Sequence, residues 1–465
     1  MEQKRTVGAI DMTQGKCLPL ILRFSLPILL ANVFQQLYTV VDGIVVGKSI
    51  STEALAAVSV GFPITYMLTS IFLGIGLGAS VLVSQHYGNR DMASVAKTVA
   101  TNNTLLLLLF LPLTLLGIFT TDFFLHLLNT QADIFQDAKV YLTIYYIGLL
   151  PQFGYNLNAS ILQGIGDSKT PLVILIISSI LHIVLAVLAV VCFPFGVAGV
   201  AWATVISQYF SWILSIVLTN RKYPEIRIRL LAFTLDRKSI AQTLRVGLPV
   251  GFQNALYSVG MLVMQPLING LGSVFIAGYN AAVKVDGFVY MPVISLASAI
   301  TTFVAQNIGA QKLDRVKLGV RTCIMLSAAL SVALCAIVIP LRTPLMYLFT
   351  DDAAVVAAGN AYLVRVIPLY IVSTLQYLYI GILRGAGQTL VPTLAALVGL
   401  WAARVPSAYL LTSRFGPDNM HWCYAIGWLM GLAILVPYYY FGKWKKGLID
   451  GGHPAPDLGE GKTSL

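Results

Sequence analysis

Two stretches of the chain 221 residues apart carry nearly the same residues, and this duplication restricts the fold more than any other feature. Ile161-Leu162-Gln163-Gly164-Ile165-Gly166 runs on to Pro171, and Ile382-Leu383-Arg384-Gly385-Ala386-Gly387 runs on to Pro392. The same offset pairs Val83, Gln85, Gly88 and Val95 with Val304, Gln306, Gly309 and Val316, and Tyr141-Leu142 with Tyr362-Leu363. Near the start an offset of 222 pairs Leu22, Arg23, Leu26, Pro27 and Asn32 with Leu244, Arg245, Leu248, Pro249 and Asn254. The chain is therefore expected to fold as two like halves.

Those halves belong in a lipid bilayer. Of 465 residues, 57% are hydrophobic and 11% charged, against roughly 25% charged in ordinary globular domains. Apolar runs reach the ~20 residues needed to cross the hydrocarbon core. Twelve spans are predicted, at about 20–46, 56–84, 95–119, 138–163, 171–193, 197–219, 243–270, 276–306, 319–341, 358–383, 392–412 and 421–441. The predicted class is an all-α polytopic membrane protein. The polar start lacks a signal-peptide core, so the first span is expected to stay in the mature protein.

Charge orients the spans. Lys4, Arg5, Lys16 and Arg23 precede span one, and Arg90 and Lys97 follow span two. Arg221 to Arg245 fill the central connection, Lys312 to Arg321 follow span eight, and Lys443, Lys445 and Lys446 follow span twelve. All fall on one side of a twelve-span chain, which by the positive-inside rule is the cytoplasm. The net charge of +11 is thus spread along membrane edges, without a nucleic-acid-binding motif. Six spans per half make the repeats parallel, related by an axis along the membrane normal, with the pathway of a transporter between them. The expected domains are a cytoplasmic tail (1–19), an N-lobe (20–220), a linker (221–241) long enough to let the halves rock, a C-lobe (242–442) and a cytoplasmic tail (443–465) expected to be disordered from Asp450 onward.

The repeated loop motifs read as helix ends. Glycine at 88 and 309 suits a left-handed helix terminus, and the Gly-x-Gly turns before Pro171 and Pro392 would serve spans four and ten likewise. No P-loop ending follows them, so energy for transport must come from an ion gradient, with no bound cofactor. The five cysteines show no metal or redox spacing.

In this setting Ser25-Leu26-Pro27, Gln36-Leu37-Tyr38, Val41-Asp42-Gly43, the Gln85 and Gln306 turns, the Gly-x-Gly turns and Arg404-Val405-Pro406 occur together in this order. The pattern resembles the MATE (multidrug and toxic compound extrusion) family over residues 15 to 445. The resemblance implies two six-helix lobes around a V-shaped central cleft, exchanging protons or sodium ions for organic cations. The rival readings are a lipid-linked precursor flippase, which would need several basic residues in its cavity, and a polytopic membrane enzyme, which would need a His, Cys or carboxylate cluster.

Ionisable groups inside spans are costly and therefore functional candidates. Asp42 lies nineteen residues after Arg23, ~28 Å along a helix, in the outer portion of the first half. Burial favours its neutral form and a bound cation favours the carboxylate, so proton and substrate would compete for it. His182 falls near the bilayer centre, where one branch of the family has Asn and then Asp four residues on; this chain has His182 and Ala186. That departure removes two oxygen ligands suited to sodium and favours proton coupling, with His182 sharing the titration or simply packing. Asp286 is the main acid of span eight. Arg404, ~18 Å into span eleven, needs a partner, which Asp286 or a backbone carbonyl would supply in a structural or gating role. Tyr257 stands where another branch has an acid. Asn32 and Asn254 are repeat-related polar positions. Phe34, Tyr38, Tyr66, Tyr257, Met261, Tyr290 and Tyr377 are the cleft candidates, as cation–π surfaces and a pliable thioether. The expected protein is a monomer in the cytoplasmic membrane that exports organic cations in exchange for protons or sodium.

Overall fold

A computed structural model describes residues 8–193, 195–230 and 232–446 and, among these, regular structure is helical throughout. The first half holds α1 (Cys17–Ser49), α2 (Thr52–Gly88), α3 (Met92–Leu127), α4 (Ala132–Ile147), α5 (Leu149–Gly164), α6 (Lys169–Val187) and α7 (Gly196–Lys222). The second holds α8 (Arg237–Asn269), α9 (Ser273–Gly309), α10 (Leu313–Tyr347), α11 (Ala353–Val366), α12 (Tyr370–Gly385), α13 (Leu390–Val398), α14 (Val405–Phe415) and α15 (Cys423–Phe441).

Eleven stretches among the described residues are long and apolar enough to cross a membrane. The twelfth is α4 with α5, which run on through Gly148: its amide donates to the Ile144 carbonyl, and its own carbonyl accepts from Gln152. The matching break in the second half is the 3₁₀ turn Ile367–Leu369 between α11 and α12. Polar caps stop the backbone from fraying where chain leaves lipid. Asp91 accepts from the Ser94 amide at 3.0 Å, and Asp236 from the Ser239 amide at 2.9 Å. The second glycine of each Gly-x-Gly turn, Gly166 (φ 96°) and Gly387 (φ 79°), takes the left-handed conformation expected of it.

Each half has its own apolar core, and the halves exchange contacts in a twofold pattern. α2 packs on α8, and α1 packs on α9. Ile21, Phe24 and Ile28 of α1 are buried against Ala299, Ile300 and Phe303 of α9. Along α2 and α8, glycines let the backbones touch, as small residues do between membrane helices. A Cβ on Gly74 would lie 2.3 Å from the Gly247 carbonyl oxygen, and one on Gly78 would lie 2.2 Å from that of Thr243.

At the end that carries the bases, the repeated motifs meet one another. Gln85 Nε2 donates to the Gly385 carbonyl at 3.0 Å, and Gln306 Nε2 donates to the Gly164 carbonyl at 3.0 Å. Gly88 and Gly309 do not form the left-handed turns expected of them; Arg90 (φ 59°) and Gln311 (φ 57°) do. The two glycines are still helical, and a Cβ on either would lie 1.9 Å from the Gln306 or Gln85 carbonyl oxygen. Their smallness serves contact between the halves.

The N-terminal segment and the linker expected to let the halves rock are both docked. Residues 8–16 cross the seam: Ile10 N donates to the Gly166 carbonyl, Met12 N to Gln306 Oε1, and Arg315 holds the carbonyls of Met12 and Gln14. The connection after α7 lies on the first half, where Ile226 and Ile228 enter its core and Tyr223 Oη donates to Asp167. Lys97 pairs with Asp236 at 2.8 Å. The linker is therefore anchored along much of its length. The C-terminal residues from 447, and the basic Lys4 and Arg5, lie outside the described residues.

Candidate functional site

Polar side chains at membrane depth gather on two facing walls. In the first half a cavity of about 170 Å³ opens among α1, α5, α6 and α7, lined by Gln35, Tyr38, Gln152, Tyr155, His182 and Thr204 among others. Helical spacing builds it: Ser178 and His182 share a face of α6, and Thr204, Ser207 and Ser211 share one of α7. His182 is buried, with Nε2 3.1 Å from Thr204 Oγ1. The Tyr38 ring lies 4.4 Å from the imidazole centre to centre. Tyr155 Oη donates to the Pro171 carbonyl. Asp42 is carried by α1, but its side chain lies outside the described residues, so its distance from His182 is not part of this geometry.

The second wall is tyrosine-rich. Tyr370 on α12 donates its hydroxyl to Asp286 Oδ1 on α9. Tyr290, one turn past Asp286, stands edge-on to Tyr377 at 5.2 Å and to Tyr370 at 6.5 Å. Arg404, 4% exposed, is held differently from expectation. Among the described residues it pairs with neither Asp286 nor a backbone carbonyl. Its Nη1 donates to Tyr257 Oη at 3.0 Å, its Nη2 lies 3.9 Å from Met261 Sδ, and its guanidinium sits 3.7 Å over the Tyr424 ring. The reason is local: Arg404 ends a π-helical turn, Gly399–Arg404, and such a turn takes up one extra residue. Arg404 is twelve residues past Pro392, whereas His182 is eleven past Pro171. The inserted residue rotates Arg404 towards α8 and α15.

Tyr257, Met261, Tyr290, Tyr377, Asp286 and Arg404 thus come together, as do Tyr38 and His182. Tyr66 lies within electrostatic reach of Tyr257 from the opposite half. Asn32 Nδ2 donates to Ser295 Oγ across the seam at 3.1 Å, and Phe34 is exposed on the same helix. Asn254 is half-buried, and its carbonyl accepts from Ser258. Met264 and Met291 are core residues and do not line the cleft. Lys284 lies 5.7 Å over the Phe349 ring.

Sequence reasoning missed Tyr370, Tyr424, Gln253 and Arg384. A signal existed, since Tyr370, Tyr377 and Arg384 recur every seven residues on one face of α12. Arg384 Nη2 donates to Gln253 Oε1 at 3.1 Å. Among the described residues no group of His, Cys, Asp and Glu could hold a metal ion.

Known proteins share this fold. The MatE family model matches residues 27–188 and again 249–410, the two matches being 222 residues apart, the offset seen at the start of the repeat. The chain is 30% identical to the probable multidrug resistance protein YoeA of Bacillus subtilis (strain 168), across 94% of this chain and 96% of that one. It is 28% identical to the probable multidrug resistance protein YpnP of the same organism, across 94% and 98%. A solved structure described as the outward-facing conformation of a multidrug resistance MATE family transporter of the MOP superfamily superposes with a TM-score of 0.87, at 22% identity, covering 96% of this chain and 100% of that one.

Proposed function

Because this chain belongs to the MATE family of multidrug efflux transporters, we propose that it is a secondary active antiporter, a monomer that exports small organic cations across the cytoplasmic membrane in exchange for protons. The observation that carries this reading is the seam at the basic end, closed by Gln85 and Gln306, below two polar walls at membrane depth. By the positive-inside rule that end is cytoplasmic, as are both termini, so the closed seam bars access from the cytoplasm. Lobes 20–220 and 242–442 would rock about it to give alternating access.

Asp42 is the coupling carboxylate in this reading, since a carboxyl away from water holds either a proton or a cationic guest. His182 shares the titration through the cavity it forms with Tyr38 and Thr204. Sodium is the less favoured ion, because His182 and Ala186 supply no pair of hard oxygen ligands in span five. Asp286 with Tyr370 forms a secondary polar site. Tyr257, Tyr290, Tyr377 and Met261 offer flat and pliable surfaces to aromatic cations.

The test is uptake of a cationic dye by everted vesicles under an imposed proton gradient and, separately, a sodium gradient, with wild type and Asp42→Asn. Proton-driven uptake that Asp42→Asn abolishes is expected. Dye movement under neither gradient removes the antiporter reading, and sodium-driven movement alone removes the proton.

A further inference from the structure

We propose that the C-lobe wall contains an oxyanion-binding site in which Arg384 and Arg404 receive a carboxylate or phosphate carried on an aromatic body. The juxtaposition is that of two guanidinium groups tethered one helical turn apart on α8. Arg384 Nη2 reaches Gln253 Oε1, and Arg404 Nη1 reaches Tyr257 Oη. Four residues separate Gln253 from Tyr257, a rise of ~6 Å. The Tyr377 hydroxyl lies within electrostatic reach of both guanidiniums.

Three observations point to an anionic guest at this arrangement. First, the Nε atom of each arginine is buried and without a hydrogen-bond partner, although a buried donor left unpaired is costly. Second, neither arginine has an acidic hydrogen-bond partner among the described residues: Asp286 takes its hydrogen bond from Tyr370, and the groups held by the two guanidiniums are the neutral side chains of Gln253 and Tyr257. A buried guanidinium without a counter-charge favours an anionic guest. Third, the first half carries neither charge at the matching positions. The position matching Arg384 is Gln163, and span five carries His182 and Ile183 where span eleven carries Ala403 and Arg404. The guanidinium fork suits the geometry of a carboxylate or phosphate. The edge-on pair Tyr290 and Tyr377 supplies an aromatic wall beside it.

The site stands apart from the exporter reading, whose cargo is cationic. Purified full-length protein in neutral detergent is titrated with dansylglycine, which carries a carboxylate, and with dansylcadaverine, which carries the same fluorophore on a protonated amine. Dansylglycine is expected to saturate. Arg384→Gln and Arg404→Gln are each expected to weaken it at least tenfold, while Arg384→Lys loses less. Dansylcadaverine binding should not weaken, which also shows that the variants fold. Absence of dansylglycine binding, or equal weakening of both probes, overturns the proposal. Competition by phosphatidylglycerol that Arg404→Gln removes identifies a lipid headgroup as the source of the oxyanion; no competition identifies a soluble carboxylate. Absence of dansylglycine binding in wild type with dye export intact defeats this inference alone. Intact binding without gradient-driven transport defeats the antiporter reading alone.

Discussion

Gln85 and Gln306 exchange partners across the molecule. Each glutamine, at the same place in its own repeat, donates Nε2 to the Gly-x-Gly turn of the other half, at Gly385 and Gly164 respectively, at 3.0 Å in both cases. Both side chains are completely buried. Any motion that parts the halves at this end must break the two bonds together.

Gln85→Ala and Gln306→Ala should therefore shift the conformational balance toward opening at the basic end. A buried hydrogen bond contributes about 1 kcal/mol net, so each variant should raise the open population about fivefold. Spin labels on the exposed Asn89 and Gln311 report this as a longer-distance component in electron–electron resonance. An unchanged distance distribution in both variants would show that the bonds do not hold the seam.

Gly78→Ala should act in the same direction but more strongly. Its Cβ would lie 2.2 Å from the Thr243 carbonyl oxygen, and the obstacle is backbone that cannot rotate aside. The expected outcome is a widened seam between α2 and α8, seen with the same labels, together with a lowered Tm. Wild-type distances and Tm would contradict the packing described.

Met12 is fully buried where the N-terminal segment crosses both halves. Met12→Ala should cost ~2–5 kcal/mol, as large-to-small changes in a core do. Arg315→Gln should release the segment by removing the contacts to the Met12 and Gln14 carbonyls. Limited proteolysis between Gly8 and Lys16, slow in wild type, should become fast in Arg315→Gln.

Asp236 offers a pH test outside the membrane. The Lys97 ammonium above all, and then the Ser239 hydroxyl and amide, hold its carboxyl down to about 2 from the ordinary 3.8. A depressed carboxyl contributes stability above its ordinary value and loses it as pH falls through 3.8 toward 2. Asp236→Asn keeps the helix cap and removes the charge. Its Tm deficit at neutral pH should shrink as pH is lowered from about 6 to about 3. A deficit independent of pH would mean that the ion pair with Lys97 contributes nothing.

His182→Asn should remove one inflection from the pH profile of transport while leaving an amide to bond Thr204. An unaltered profile would confine His182 to packing in its cavity.

The sequence by itself determined the twofold plan, the places of the spans and the common end of the bundle at which the bases lie. Those properties follow from repeat spacing, apolar run length and charge, all local along the chain. Asp286 stood out as an ionisable group inside a span, and Tyr290, Tyr257 and Met261 as cleft candidates by residue type and repeat position, because such groups in an apolar span are few. What only the tertiary structure decided are contacts between distant segments. Gln306 meets Gly164 across 142 residues and Gln85 meets Gly385 across 300, so turns that read as helix ends became the seam. Gly88 and Gly309 were legible as glycines, but not as sites of backbone contact, since the neighbour that demands smallness belongs to the other half. Arg404 turned to Tyr257 and Tyr424 because a π-helical turn shifts its face by one residue, a backbone choice that spacing alone does not reveal.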